Sequence, residues 1–239
     1  MPEETLACLL RHEDPKVAAA AAGGEWHANP RGGVREGVES DWRAAMLKAP
    51  ADQHLISDIL RSDPTLAHDW LLRRVSEERI LGDLDLEPTI EEALSALDQE
   101  QKLSILRSIR PGSMYHSLAA TLVGDDLELY GAFLRDDELT QVHLWPLVSM
   151  PTGSWPEKAR LALAAGFSAK QVAGAAFLSI TGWSGNESDM WERWIGRFSE
   201  LLSHEEEGVR SVAEHGVAHA QERKRRALGE ERDEAVYGF

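Results

Sequence analysis

Apolar residues recur three and four positions apart along nearly the whole chain, in short runs separated by breaks rich in Asp, Gly, Pro and Ser. That spacing lines one face of an α-helix and predicts about a dozen short helices. The first runs from Pro2 to Arg11, Asp14-Pro15 turns the chain into KVAAAAAGGEW, and the glycines of NPRGGVREG make the first long loop. SDWRAAMLKAP restarts a helix from a Ser40 or Asp41 cap. DQHLISDILRSDPTLAHDWLLRRV reads as two helices split at Asp63-Pro64, with Pro64 opening the second. A polar break, SEERILGDLDLEP, leads into TIEEALSALD, QEQKLSILRSI, SMYHSLAATLVG, DLELYGAFLR, ELTQVHLWPLV, PEKARLALAAG, AKQVAGAAFLSI, ESDMWERWIGRFSELL and a long last helix. Connections of about two to six residues make consecutive helices antiparallel.

Composition agrees with the pattern, because Ala and Leu dominate while the β-branched residues that favour strands are sparse. The expected architecture is all-α: one helical domain over 1–239, with a weak division at the 76–88 break. At 239 residues the chain can bury a core that needs no metal, cofactor or disulfide, and none is expected. No apolar run reaches the length of a membrane span. MPEETLACLL carries acids where an export signal would carry bases, and Cys8 is the single cysteine, so a reducing, cytoplasmic setting is expected. A formal net charge of −16 repels nucleic-acid backbones and favours a basic partner.

HEDPKVAAAAAG near the start and HEEEGVRSVAEHG near the end share a histidine, a valine five residues on, small residues and a glycine. The stretches Asp14-Pro15-Lys16-Val17 and Glu207-Gly208-Val209-Arg210 resemble the turn between the two helices of a HEAT-type repeat. The resemblance implies antiparallel hairpins stacked as a short HEAT-like α-solenoid or a compact right-handed array, of the kind that offers extended protein-binding faces. The chain as a whole, LVGDDLELY and WSGNESDMW above all, is also similar to uncharacterised bacterial all-helical proteins, a likeness that bears on fold alone.

Several stretches carry candidate chemistry. Gly182-Trp183-Ser184-Gly185-Asn186 misses the G-x-S-x-G elbow at its last glycine and lacks strands for triad partners, so Ser184 reads as an N-cap in a box with Glu187, Asn186 competing. Ala162, Gly166 and Val172 in 159–178 have helix-turn-helix spacing, but Lys170 and Gln171 are almost the only polar side chains of the second helix. A tight αα-hairpin, with Gly166 ending one helix and Ser168 and Gln171 boxing the next, explains the spacing. His215 and His219 share a helix face near His204, two ligands rather than a metal site. Arg223 to Arg226 reads as a solvated helix with i,i+4 pairs to Glu222 and Glu230. Met190, Trp194, Phe198 and Leu201, with Trp191 and Ile195 beside them, form a core stripe.

With no reactive constellation complete, the expected function is non-catalytic: a helical-repeat scaffold binding another protein. A DNA-binding regulator using 159–178 is the alternative, and a helical hydrolase or metal-dependent domain the third. The partner face is expected among Asp125, Asp126, Asp136 and Asp137, which read as caps at helix starts, with Trp155 or Trp183 as aromatic anchor.

Overall fold

The computed structural model of the chain describes residues 1–28, 33–50, 56–76, 88–110, 115–179 and 186–237. All regular elements among the described residues are helical, with no strand. Helix contacts group the chain into two compact units, Met1–Tyr115 and His116–Phe239. Most of the 76–88 break lies outside the described residues.

The first unit holds α1 (Glu3–Leu10), α2 (Pro15–Ala28), α3 (Glu39–Lys48), α4 (Ser57–Ser62), α5 (Pro64–Ser76), α6 (Pro88–Ser95) and α7 (Gln99–Ser108). Next-but-one helices touch along it: α1 on α3, α3 on α5, α5 on α7 and α4 on α6. Buried indoles find backbone acceptors, as their N–H groups require. Trp42 Nε1 donates to Ala22 O (3.0 Å) and its ring stacks on Trp26, while Trp70 Nε1 donates to Ala49 O (2.9 Å). Arg74 lies over the Trp70 ring and donates to the same Ala49 carbonyl. The buried Glu25 carboxylate accepts two hydrogen bonds from Arg35, both at 2.7 Å, which hold its carboxyl below the ordinary range.

Helix starts follow local chemistry. Pro64 opens α5 as its sequence position predicts, with Asp63 Oδ1 accepting from the Leu66 amide (2.9 Å). Asp98 caps α7 in a box closed by Gln101. The expected Ser40 or Asp41 cap is corrected. A 3₁₀ turn, Glu36–Val38, feeds straight into α3, whose N-cap is Val38; Asp41 lies in the first turn and pairs with Arg11 at 2.7 Å. The two histidine turns match in detail. His12 Nδ1 accepts from the Asp14 amide (3.0 Å) and His204 Nδ1 from the Glu206 amide (3.2 Å), each just before a helix.

The second unit holds α8 (His116–Val123), α9 (Leu127–Phe133), α10 (Trp155–Ala164), α11 (Ala169–Ala176), α12 (Glu187–Glu200) and α13 (Glu207–Tyr237). ELTQVHLWPLV, expected as an α-helix, is instead a 3₁₀ segment, Gln141–Leu147, because Pro146 has no amide to donate and its ring crowds the preceding turn. At 31 residues α13 is the longest helix described, and α10, α11 and α12 all pack on it. α12 runs antiparallel to it: Ser188 meets Glu231, Glu192 meets Lys224, and Phe198 meets Gly216. The Phe198 ring lies so close that a Cβ on Gly216 would stand 2.5 and 2.6 Å from its carbons. The predicted stripe is buried at Met190, Trp191, Trp194 and Phe198, with Ile195 and Leu201 half-buried.

Candidate functional site

Segment 139–149 and helix α11 form the two walls of a cleft in the second unit. Thr140 caps the 3₁₀ segment, its hydroxyl accepting from the Val142 amide (3.3 Å). His143 answers as in a capping box, its Nδ1 accepting from the Thr140 amide (3.0 Å), so the proton sits on Nε2. That Nε2 is buried 3.5 Å from Asp136 Oδ2, too long for a well-formed hydrogen bond. The imidazole stacks on Phe133 (4.4 Å), and the Tyr130 hydroxyl, whose ionisation burial pushes far above the phenol range, donates to His143 O (2.9 Å). Lys158 ties the far end of the wall to α10. Its Nζ donates to Gly124 O (3.0 Å) and Pro146 O (3.4 Å), and burial lowers its pKa against the opposing pull of Asp125.

The second wall is the hairpin of α10 and α11. Gly166 has φ +110°, a left-handed conformation in which a side chain would be strained, and follows the helix end as expected. Its amide donates to Leu163 O (3.0 Å) and that of Phe167 to Ala162 O (3.1 Å), which is a Schellman ending. Ser168 and Gln171 then box the start of α11. Ala162 and Val172, the residues with helix-turn-helix spacing, are wholly buried and hold the hairpin shut. Lys170 and Gln171 are exposed, but the Gln171 amide oxygen already accepts from Ser168 N (2.9 Å) and Oγ (2.8 Å).

Between the walls lies a cleft of about 410 Å³, open to solvent and lined by residues of 139–144 and 167–178. Leu139 and Leu144 face Phe167, Gly174, Ala175 and Leu178. Leu178 is 37% exposed at the edge of the cleft. Asp137 and Glu138, next in the chain to the cleft wall, are exposed and join no ion pair among the described residues.

The sequence candidates fall as follows. Trp155 is 1% exposed, donates to Leu147 O (3.0 Å) and meets the Phe198 ring edge-on, so it belongs to the core and offers no anchor. Trp183 and Ser184 lie outside the described residues. The N-cap position of α12 is Asn186, the competing cap of the sequence reading, and Glu187 accepts from Trp191 Nε1 (2.7 Å). A distant carboxylate serves the helix start: Glu231 accepts from Ser188 N (3.0 Å) and Oγ (2.8 Å), which lowers its pKa. Asp126 caps α9 as expected, accepting from Leu129 N (2.9 Å), and Asp125 accepts from Ser154 Oγ (2.5 Å). Asp136 and Asp137 precede the Thr140 cap in an irregular turn rather than starting a helix. His219 lies tilted against the Phe177 ring (4.6 Å between centres), His204 holds its own turn, and no cluster of His, Cys, Asp and Glu among the described residues is placed to hold a metal.

Arg223 and Lys224 reach across to Glu187 and Glu192, and Arg225 and Arg226 pair with Glu222, so this basic run fastens α13 to α12 and to itself. The first unit has a wider hollow of about 640 Å³ beside α1, lined by Glu4, Cys8, Arg11 and His12; Arg11 is held by Asp41 and His12 by its turn. Sequence reasoning passed over Leu139, Leu144, Phe167, Gly174 and Leu178. A partial signal was present: Phe167, Gln171, Gly174 and Leu178 follow one another at four, three and four residues, although only Gln171 and Gly174 lie within α11.

Comparison with protein families, with curated proteins and with solved structures returns no match.

Proposed function

We propose that the protein is a non-catalytic, cytoplasmic helical scaffold that binds another protein, and that the cleft between 139–144 and α11 is where the partner docks. The observation that carries this is the cleft itself: Leu139, Phe167 and Leu178 are partly exposed along it beside Thr140, Gln141 and Gln171, and the unpaired carboxylates of Asp137 and Glu138 come next in the chain to one wall. Concave sites lined by apolar side chains with a few polar groups among them are where ligands and partner side chains seat. The HEAT-like reading of the fold belongs to the same proposal. It is supported by the next-but-one helix contacts of Met1–Tyr115 and by the matching histidine turns before α2 and α13. The net charge of −16 and the rim carboxylates suit a basic partner, drawn in by long-range attraction. The exposed thiol of Cys8 suits a reducing compartment.

The test is quantitative co-purification from the source cells, comparing the wild-type protein with Leu178→Asp. Leu178 is 37% exposed, so the unfolding temperatures of the two baits are compared to separate lost docking from lost packing, and with these matched at least one co-purifying protein should fall about tenfold or more. An identical set of proteins with both baits would remove the cleft from the proposal.

A further inference from the structure

The cleft has the shape and rim charges of a seat for one kind of occupant. Resting on the docking function above, we propose that the partner inserts an amphipathic α-helix, with a small residue seated against Gly174 and lysines or arginines along the edge facing Asp137 and Glu138.

Gly174 is the starting point. It lies inside α11, where glycine weakens a helix relative to alanine. Gly216 has an internal reason to be glycine, since the Phe198 ring occupies the space of its side chain; around Gly174 a Cβ would meet no heavy atom within 4 Å. Gly24, Gly196 and Gly229 are also open, but Gly174 lines a cleft that has a facing wall. A glycine there leaves a hole in the wall where Gln171 and Gly174 of α11 are flanked by Phe167 of the preceding turn and Leu178 of the 3₁₀ turn that follows. A second helix laid along this wall fills such a hole by setting a side chain into it. An extended segment would bring its own amides and carbonyls into an apolar cleft that has no sheet edge to pair them.

The rims orient the occupant. Asp137 and Glu138 stand beside one wall, and Arg135 does not cancel them because its guanidinium folds back over α9, with Nη1 beside Gly131. Lys170 is exposed beside the other wall. A helix with cations on one edge and a carboxylate on the other therefore matches both rims in a single orientation.

The probe is a synthetic peptide of about 18 residues, long enough to hold helical structure. It carries leucines at seam positions around a central alanine, lysines along one edge and glutamates along the other. Titrated into the ¹⁵N-labelled protein, it should shift resonances of 139–144 and 167–178 saturably. Gly174→Leu should weaken binding about tenfold without lowering the unfolding temperature. Replacing the lysines by glutamates, so that both edges are acidic, should weaken it about three- to fivefold, and a central proline should abolish it.

If the proline peptide binds the cleft as tightly, the occupant is an extended chain; the helix inference falls and the docking reading stands. The outcome is the same if no peptide binds while Leu178→Asp still releases a co-purifying protein. If neither happens, both fall. Sedimentation showing a dimer that Gly174→Leu dissolves would make a second copy of this chain the occupant, which also overturns the inference.

Discussion

Replacing Gly216 by alanine adds one methyl group to α13 at its crossing with α12. Elsewhere in a helix interior the same change would stabilise by about 0.8–1 kcal/mol through helix propensity. Here the new carbon would stand 2.5 and 2.6 Å from carbons of the Phe198 ring. Phe198 cannot swing away. It is wholly buried, with Trp155 at 5.9 Å, Phe177 at 5.4 Å and Trp194 at 6.2 Å between ring centres. Forcing an extra methyl into a packed core typically costs about 1–3 kcal/mol, and a ring hemmed in on several sides places this site at the upper end. After the propensity gain is subtracted, Gly216→Ala should destabilise the second unit by about 1–2 kcal/mol. Gly174→Ala, chemically the same change at an open site, should stabilise by about 0.5–1 kcal/mol. Urea unfolding followed by tryptophan fluorescence gives both values, with unchanged slopes as the check that the unfolded state is the same. Phe198→Leu combined with Gly216→Ala should cost less than the sum of the singles, because the clash partner has shrunk. Equal signs for the two glycine substitutions would refute the reasoning, since only the position of the Phe198 ring separates them.

Three further outcomes follow from the polar contacts. Because Arg35 holds the Glu25 carboxyl below its ordinary value of 4.5, the unfolded chain takes up that proton first as pH falls; the contribution is whole above about pH 4.5 and is lost below it, and Glu25→Gln should flatten that limb of a pH–stability curve. Burial lowers the pKa of His116 and of His219 from 6.5, and the His116 Nε2 has no hydrogen-bond partner among the described residues, so stability should also fall as pH drops below about 6.5, a step that His116→Phe should reduce, leaving the His219 share, in thermal unfolding scans at pH 5.5 and 7.5. Glu231→Ala should leave the first amides of α12 without their acceptor, lowering the unfolding midpoint and speeding amide exchange at Glu187–Asp189, while distant α9 is unaffected.

The helices were legible because apolar spacing and capping chemistry are local. Pro64 sits at the first helical position its fixed φ suits, and Asp98 and the Ser168–Gln171 box each sit within three residues of the amide they serve, so the chain announces them. Legibility ended where a partner came from far along the chain. Glu231 serves the start of α12 from 43 residues away, and nothing in ESDMWERW hints at it. Trp155 neighbours a loop, which suggests an available anchor, yet tertiary packing turns it onto Phe198. In the 3₁₀ segment a visible local signal, Pro146, was outweighed by the apolar spacing around it, which argued for an α-helix. The cleft lay beyond sequence reasoning for a related reason. Its α11 wall could equally have been core, and only tertiary structure brings Leu139 and Leu144 beside it to line a cleft.

Photo-crosslinking in the source cells tests the docking surface most directly. With p-benzoylphenylalanine in place of Leu178, irradiation should yield a discrete adduct containing a second protein. The adduct should disappear when Gly174→Leu is added, and should be absent when the probe replaces Glu230 on the exposed face of α13. A pattern of adducts that is the same at both positions, and indifferent to Gly174→Leu, would contradict the account.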